Sequence, residues 1–145
     1  MKNIVLIIML NILLLPSASA RDSIEAYSLD DALSQQKARQ VLGGQVAFYF
    51  GEQPHGQVLT NFGEFKSNKK TNAFNKSDKQ ACEWVFLSAM ISLQKRAIKE
   101  GGNAVINIKS NYKSHLTSSN ESFQCGAGTF VAGVALVGTV VKIEQ

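Results

Sequence analysis

The stretch Phe123–Ile143, FQCGAGTFVAGVALVGTVVKI, decides the fold. It is rich in glycine and β-branched residues and carries no charge until Lys142. Three readings compete for it: a phosphate-cradling loop, a membrane segment, or buried sheet. Gly128 and Gly133 have the glycine spacing of a Walker A loop, but Val134-Ala135 stand where lysine and a hydroxyl residue are required. Gly126 and Gly128 could open a dinucleotide fingerprint, yet the third glycine is misplaced. A lone membrane span is disfavoured by the glycines, by Gln124 and by Thr129 and Thr139. A strand fits. From Val134 onward, Val134, Leu136, Val140 and Lys142 share one face; Ala135, Val137, Thr139, Val141 and Ile143 share the other. Both faces are largely apolar, as in a central strand covered on both sides. Gly133 and Gly138 then mark a bulge or a close approach, and Gly126–Gly128 is expected to form the preceding turn.

The segment that must pack on this strand lies upstream. Ser77-Asp78-Lys79-Gln80 has the pattern of a capping box, and no glycine or proline interrupts the chain until Gly101-Gly102. The expected helix crowds Lys95, Arg96 and Lys99 into its last turns, where the dipole favours cations. Its apolar face is broad: Cys82, Val85, Phe86, Ala89, Met90, Leu93 and Ala97, widened by Trp84, Leu87, Ile91 and Ile98. A helix this apolar is covered on more than one side, so it lies deep across a sheet or also meets another subunit. Trp84 is assigned to core or interface.

Other elements are shorter. Ser28 can cap a helix over about 29–42, with Asp30 and Asp31 in its first turn and Gly43-Gly44 as the stop. Residues 21–28 show little pattern. QVAFYF (45–50) alternates as a strand, and GEQPHG (51–56) is a turn. QVLTNFGEFKS (57–67) reads as a strand with a bulge near Gly63, followed by a polar loop, NKKTNAFNK (68–76). In NAVINIKSNYK (103–113), Ala104, Ile106 and Ile108 alternate with Val105, Asn107 and Lys109 as a half-buried strand. SHLTSSNE (114–121) reads as loop, and Phe123 and Cys125 begin another strand. The expected architecture is α+β: a small, mainly antiparallel sheet packed on one long helix, with an extra N-terminal helix.

The N-terminus has the anatomy of a secretory signal peptide: Lys2, an apolar run over 4–15, Pro16, and Ala18-Ser19-Ala20. Cleavage after Ala20 leaves residues 21–145 as one domain with no transmembrane span; the alternative is an uncleaved anchor. Cleavage removes Lys2, so Lys+Arg falls from 15 to 14 against 11 Asp+Glu, and the net charge from +4 to +3. No cysteine lies near the cleavage site, so lipoprotein processing is not indicated. The two cysteines, Cys82 and Cys125, lie in the exported part, and an oxidising compartment favours joining them. The alternative is two buried thiols. Without a CxxC or a nearby histidine pair they do not make a metal site.

The segments FYFGEQPHG, NKSDKQACEW, GGNAVINI, CGAG and AGVALVGTVVK resemble a family of small exported proteobacterial proteins of unknown function, often labelled "excinuclease ATPase subunit". The likeness covers nearly the whole exported chain. The ATPase label finds no Walker A lysine and no zinc-type cysteine pairs here. More distantly, the helix, GGNAVINI and the final GTVV strand are similar to the YbjQ-like heavy-metal-binding domains and to the outer-membrane Rcs stress-sensor lipoprotein. These resemblances imply an α+β sandwich, a structural disulfide and oligomerisation. They supply no catalytic residue, and the heavy-metal name finds no ligand cluster.

Candidate chemistry is sparse. His55 falls in a turn and His115 in a loop; they make a metal pair only if the fold joins them. Asp30 and Asp31 are better explained as first-turn helix residues. Ser110, Ser114, Ser118 and Ser119 have no evident base, so no catalytic residue is named. The positive signal is a basic segment, Lys66, Lys69, Lys70, Lys76 and Lys79, interleaved with Phe65 and Phe74. Such a loop can bind anionic lipid headgroups, glycans or single-stranded nucleic acid, and export makes nucleic acid the weakest of these; the alternative is a solvated loop. The expectation is an exported, non-enzymatic envelope protein, periplasmic or secreted, without cofactor. It would bind, sense or assemble by presenting that loop to an acidic envelope component or a protein partner, and a homo-oligomer is compatible with it. The alternative is a small periplasmic metal-binding protein or enzyme using the histidines or cysteines.

Overall fold

A computed structural model describes residues 22–145; the expected signal peptide lies outside the described residues. The elements run β1 (Asp22–Ser28), α1 (Leu29–Ser34), α2 (Gln36–Leu42), β2 (Ala47–Phe50), β3 (Val58–Asn72), α3 (Asp78–Glu100), β4 (Ala104–Tyr112), β5 (His115–Thr117), β6 (Ser122–Gly128) and β7 (Val131–Ile143). The fold is α+β: a seven-stranded, mostly antiparallel sheet with α3 packed across it.

The opening stretch becomes β6, a short turn and β7. Strand β7 is the centre of the sheet. Along its whole length it pairs with β3; on its other side it pairs with β4 over Leu136–Val141 and with β6 at Ala132 and Gly133. Its even-numbered residues Ala132, Val134, Leu136 and Val140 join the core beneath α3. Val141 and Ile143 join a smaller cluster with Ala104 and Ile106 on the far face. The turn sits at Thr129-Phe130, not at Gly126–Gly128: Gly126 and Ala127 remain on the ladder opposite Gly133 and Ala132.

The facing glycines have a packing reason. A Cβ on Gly126 would lie 2.3 Å from the Tyr112 ring, and one on Gly133 would lie 3.0 Å from it. The ring covers a two-glycine floor that any side chain would lift. Gly126→Ala is therefore expected to destabilise by roughly 1–3 kcal/mol. In a Tyr112→Ala background the same change should cost much less, as urea midpoints of the four-member cycle would report. Equal costs in both backgrounds would remove Tyr112 from the explanation.

Helix α3 has the capping box its sequence announces: the Ser77 hydroxyl accepts from the Gln80 amide, and the Gln80 side chain accepts from the Ser77 amide. Gly101 ends it in the left-handed region, at φ 84°, which glycine adopts without a Cβ clash. Ala81, Cys82, Val85, Phe86, Ala89, Met90, Leu93 and Ala97 are buried. Phe86 stacks on Phe123 of β6 at 4.1 Å and lies 6.0 Å from Phe50 of β2. Cys82 and Cys125 are joined, which ties α3 to β6 with a Cα–Cα distance of 5.9 Å. Trp84 is not core; it is 49% exposed.

Four other expectations are corrected. The helix over 29–42 is broken at Gln35, whose extended ψ of 140° separates α1 from α2. Residues 22–28 form β1, paired with β6. Residues 115–117 form β5, folded back on β4 through Lys113 and Ser114, both at positive φ. In β4 the simple alternation fails at Asn107 (φ 51°), where the register shifts. Ile106 and Ile108, two apart, therefore enter opposite clusters.

Candidate basic face and aromatic tip

The five lysines of the expected anion-binding loop do not lie on a loop together. β3 shows the expected irregularity, a register shift between Asn61 and Gly63, and then runs on through Asn72. Lys66, Lys69 and Lys70 are thus strand residues. The cause is tertiary: NKKTN has little intrinsic strand preference, but β7 offers an apolar ladder opposite it. Lys76 lies in the turn before α3, and Lys79 in its first turns.

Strand alternation divides the lysines. Lys66, Asn68 and Lys70 oppose Val137, Ala135 and Gly133 on the face away from α3; Lys69 opposes Val134 on the helix side. Val137 is also the β4 partner of Lys109. Lys66, Val137 and Lys109 therefore form one row across three strands, with the two lysine backbones about 10 Å apart. Lys70 lies about 13 Å along β3 from Lys66. Glu64, opposite Thr139, is on the same face one row further. Lys69 sits beside Ser88, Ile91, Ser92 and Lys95 at the flank of α3.

Charge pairing separates these lysines further. Lys79 bonds Asp31 and lies 3.7 Å from Glu83. The hydrogen bond to Asp31, and then its charge, hold the Lys79 ammonium above its ordinary pKa. Lys113 is raised by Asp22 in the same way, across 2.8 Å. Among the described residues, Lys66, Lys69, Lys70 and Lys109 enter no ion pair. The Lys76 ammonium donates to the Asn72 carbonyl at 2.9 Å, which leaves its charge uncompensated. Lys79 thus drops out of the anion-facing set, and Lys109, read only as a strand residue, joins it.

At the Asn72 end of β3 stands a feature the sequence reading missed. Phe74 and Phe130 stack with centroids 5.9 Å apart and planes 16° apart, yet they are 54% and 64% exposed, and Val131 is 51% exposed. The two loops that carry them are fixed. The Ala73 amide donates to the Phe130 carbonyl at 2.8 Å, the Phe74 amide to Asn72 Oδ1 at 2.8 Å, and the Lys76 amide to the Ala73 carbonyl at 3.1 Å. Lys70, Thr71 and Asn72 complete a shallow cup around Phe74, Phe130 and Val131. The available signal was Phe130 itself: an aromatic at a hairpin turn has no core to fill.

The remaining candidates are not assembled into a reactive site. His55 donates from Nδ1 to the Gly56 carbonyl at 2.8 Å and meets the edge of Tyr49; His115 lies exposed on β5. Ser110 accepts from the Gln124 amide, and Ser119 from Glu121 and Ser122. Asp31 belongs to the Lys79 pair, and Ser28 caps α1. Among the described residues no group of three or more histidines, cysteines or carboxylates could hold a metal. A groove of about 330 Å³ runs beside Trp84, whose ring carries Lys37 at 4.4 Å, with Gln35, Glu83 and Leu87 on its walls. Among the described residues no helix is long and apolar enough to cross a membrane. The disulfide fits an oxidising compartment. No protein-family model matches the chain, and neither a curated protein nor a solved structure matches it significantly.

Proposed function

We propose that this chain is an exported, non-enzymatic module of the cell envelope, periplasmic or secreted, that binds an acidic surface through its lysine face. The resemblance to small exported proteobacterial proteins points to the same compartment. The observation that carries the reading is the set of lysines without carboxylate partners, Lys66, Lys70 and Lys109 on one face and Lys69 on the helix side of the same strand. A rigid sheet holds these charges at fixed spacing, so little side-chain ordering beyond the lysine stems is required to meet an array of anions.

The test is salt-dependent binding to phosphate-bearing envelope material: anionic phospholipid vesicles in one arm, immobilised lipopolysaccharide in the other. Changing Lys66, Lys69, Lys70 and Lys109 together to glutamine should weaken binding at least tenfold at low salt, since each lysine near such a surface contributes about 1 kcal/mol. Raising salt should weaken the parent protein in parallel. Unchanged affinity in a variant that melts like the parent would end the proposal.

A further inference from the structure

The geometry points to a membrane-inserting tip: we propose that Phe74, Phe130 and Val131 enter the headgroup–acyl boundary of an anionic lipid bilayer, with Lys70 and Lys76 as the cationic collar. This rests on the acidic-surface reading and names its surface as lipid.

Two aromatic rings more than half exposed are a cost in water that a folded chain ordinarily avoids by turning them inward. Here the loops forbid that. The hydrogen bonds of Ala73, Phe74 and Lys76 fix one side, and the tight β6–β7 turn fixes the other. The rings are therefore preorganised to project rather than to collapse.

The shape and size of the feature select the occupant. A stable protein interface takes about 800 Å² per partner, and three side chains at the end of a sheet fall well short of that. A bilayer asks less, because a few apolar side chains can partition into it while surrounding cations meet the headgroups. The cup is lined by Lys70, Thr71, Asn72, Phe74, Phe130 and Val131, with no carboxylate. Lys76 is tethered beside it through the Asn72 carbonyl. Asp22, opposite Gly128 at the end of β1, is already held by Lys113. Apolar tip, cationic collar and compensated acid together complement an anionic headgroup layer.

The geometry also predicts a ranking. Lys70 and Lys76 stand at the tip, whereas Lys66 is about 13 Å further along the strand than Lys70. That is more than one Debye length at physiological salt, so the collar lysines should matter more than Lys66.

The experiment uses purified, oxidised protein and vesicles of phosphatidylcholine alone or in equal parts with phosphatidylglycerol. Phe74→Ser with Phe130→Ser should weaken binding to the anionic vesicles by about tenfold per ring. Lys70→Gln with Lys76→Gln should weaken it by roughly fivefold per lysine, and Lys66→Gln by less. As a depth readout, Phe130→Trp in a Trp84→Phe background should show an emission blue shift and quenching by brominated phosphatidylcholine in the anionic vesicles. Binding that survives loss of both rings, with no blue shift, overturns the insertion and leaves the lysine reading intact. Binding to lipopolysaccharide but to no vesicle does the same. A solution mass that shows self-association, abolished by the two serines and without vesicle binding, would make the tip a contact between copies and also overturn it. If the lysine variants bind like the parent as well, both readings fall together.

Discussion

Replacing Cys82 and Cys125 together by alanine should lower the melting temperature by about 15 °C. The bridge spans 43 residues. Chain-entropy arithmetic assigns such a loop about 4 kcal/mol, mostly by restricting the unfolded chain. A folded chain of this size shifts by about 4 °C per kcal/mol. The loop it closes contains most of α3 and all of β4 and β5, so its release unties the longest helix from β6. Both sulfurs are fully buried, so reductant should act slowly on the native protein and rapidly once it opens. The measurement is a pair of calorimetric scans with and without reductant. The reduced parent should melt close to the double-alanine variant. A difference of only a degree or two between variant and parent would show that the bridge adds little to a core sufficient without it.

Truncating Phe86 to alanine should destabilise by about 3–5 kcal/mol, the range for a large aromatic removed from a close-packed interior. Phe86 is 1% exposed and lies between Phe123 and Phe50, so a single ring bridges α3, β6 and β2. Its removal leaves a void that none of the three elements can fill without breaking another contact. Urea titration should show a lowered midpoint with the slope retained. Trp84→Ala, two positions away but half exposed, should cost less than about half as much. If the two substitutions cost the same, the division of α3 into a buried and an open face is wrong.

The long helix was legible because its signals are local: a reciprocal cap at Ser77–Gln80, an uninterrupted periodic face, and a glycine stop. β7 was legible because both of its faces are apolar. What escaped was set by distant partners. β1 carries only Ile24, Ala26 and Tyr27 as apolar residues and becomes a strand because β6 lies beside it. The extension of β3 through NKKTN needs the β7 ladder, which no window over 68–72 contains. The Asn107 bulge inverts the expected alternation of β4, since one residue at positive φ resets every later side chain. The lysines were visible as a group, but their division into paired Lys79 and uncompensated Lys66, Lys69 and Lys70 depends on Asp31, 48 residues from Lys79. The row through Lys109 likewise exists only once Val137 stands between two strands.

The position of β7 has a consequence for biogenesis. β3 finds its only strand partner among the described residues in β7, and β4 and β6 pair with it too. A chain passing N-terminus first through a narrow channel thus delivers six strands before the one that joins them. Until residues 131–143 clear the exit, β3 has no strand partner, and the β1–β6 and β2–β4 pairs have nothing to join them. A late keystone of this kind delays closure of the sheet until the last strand arrives.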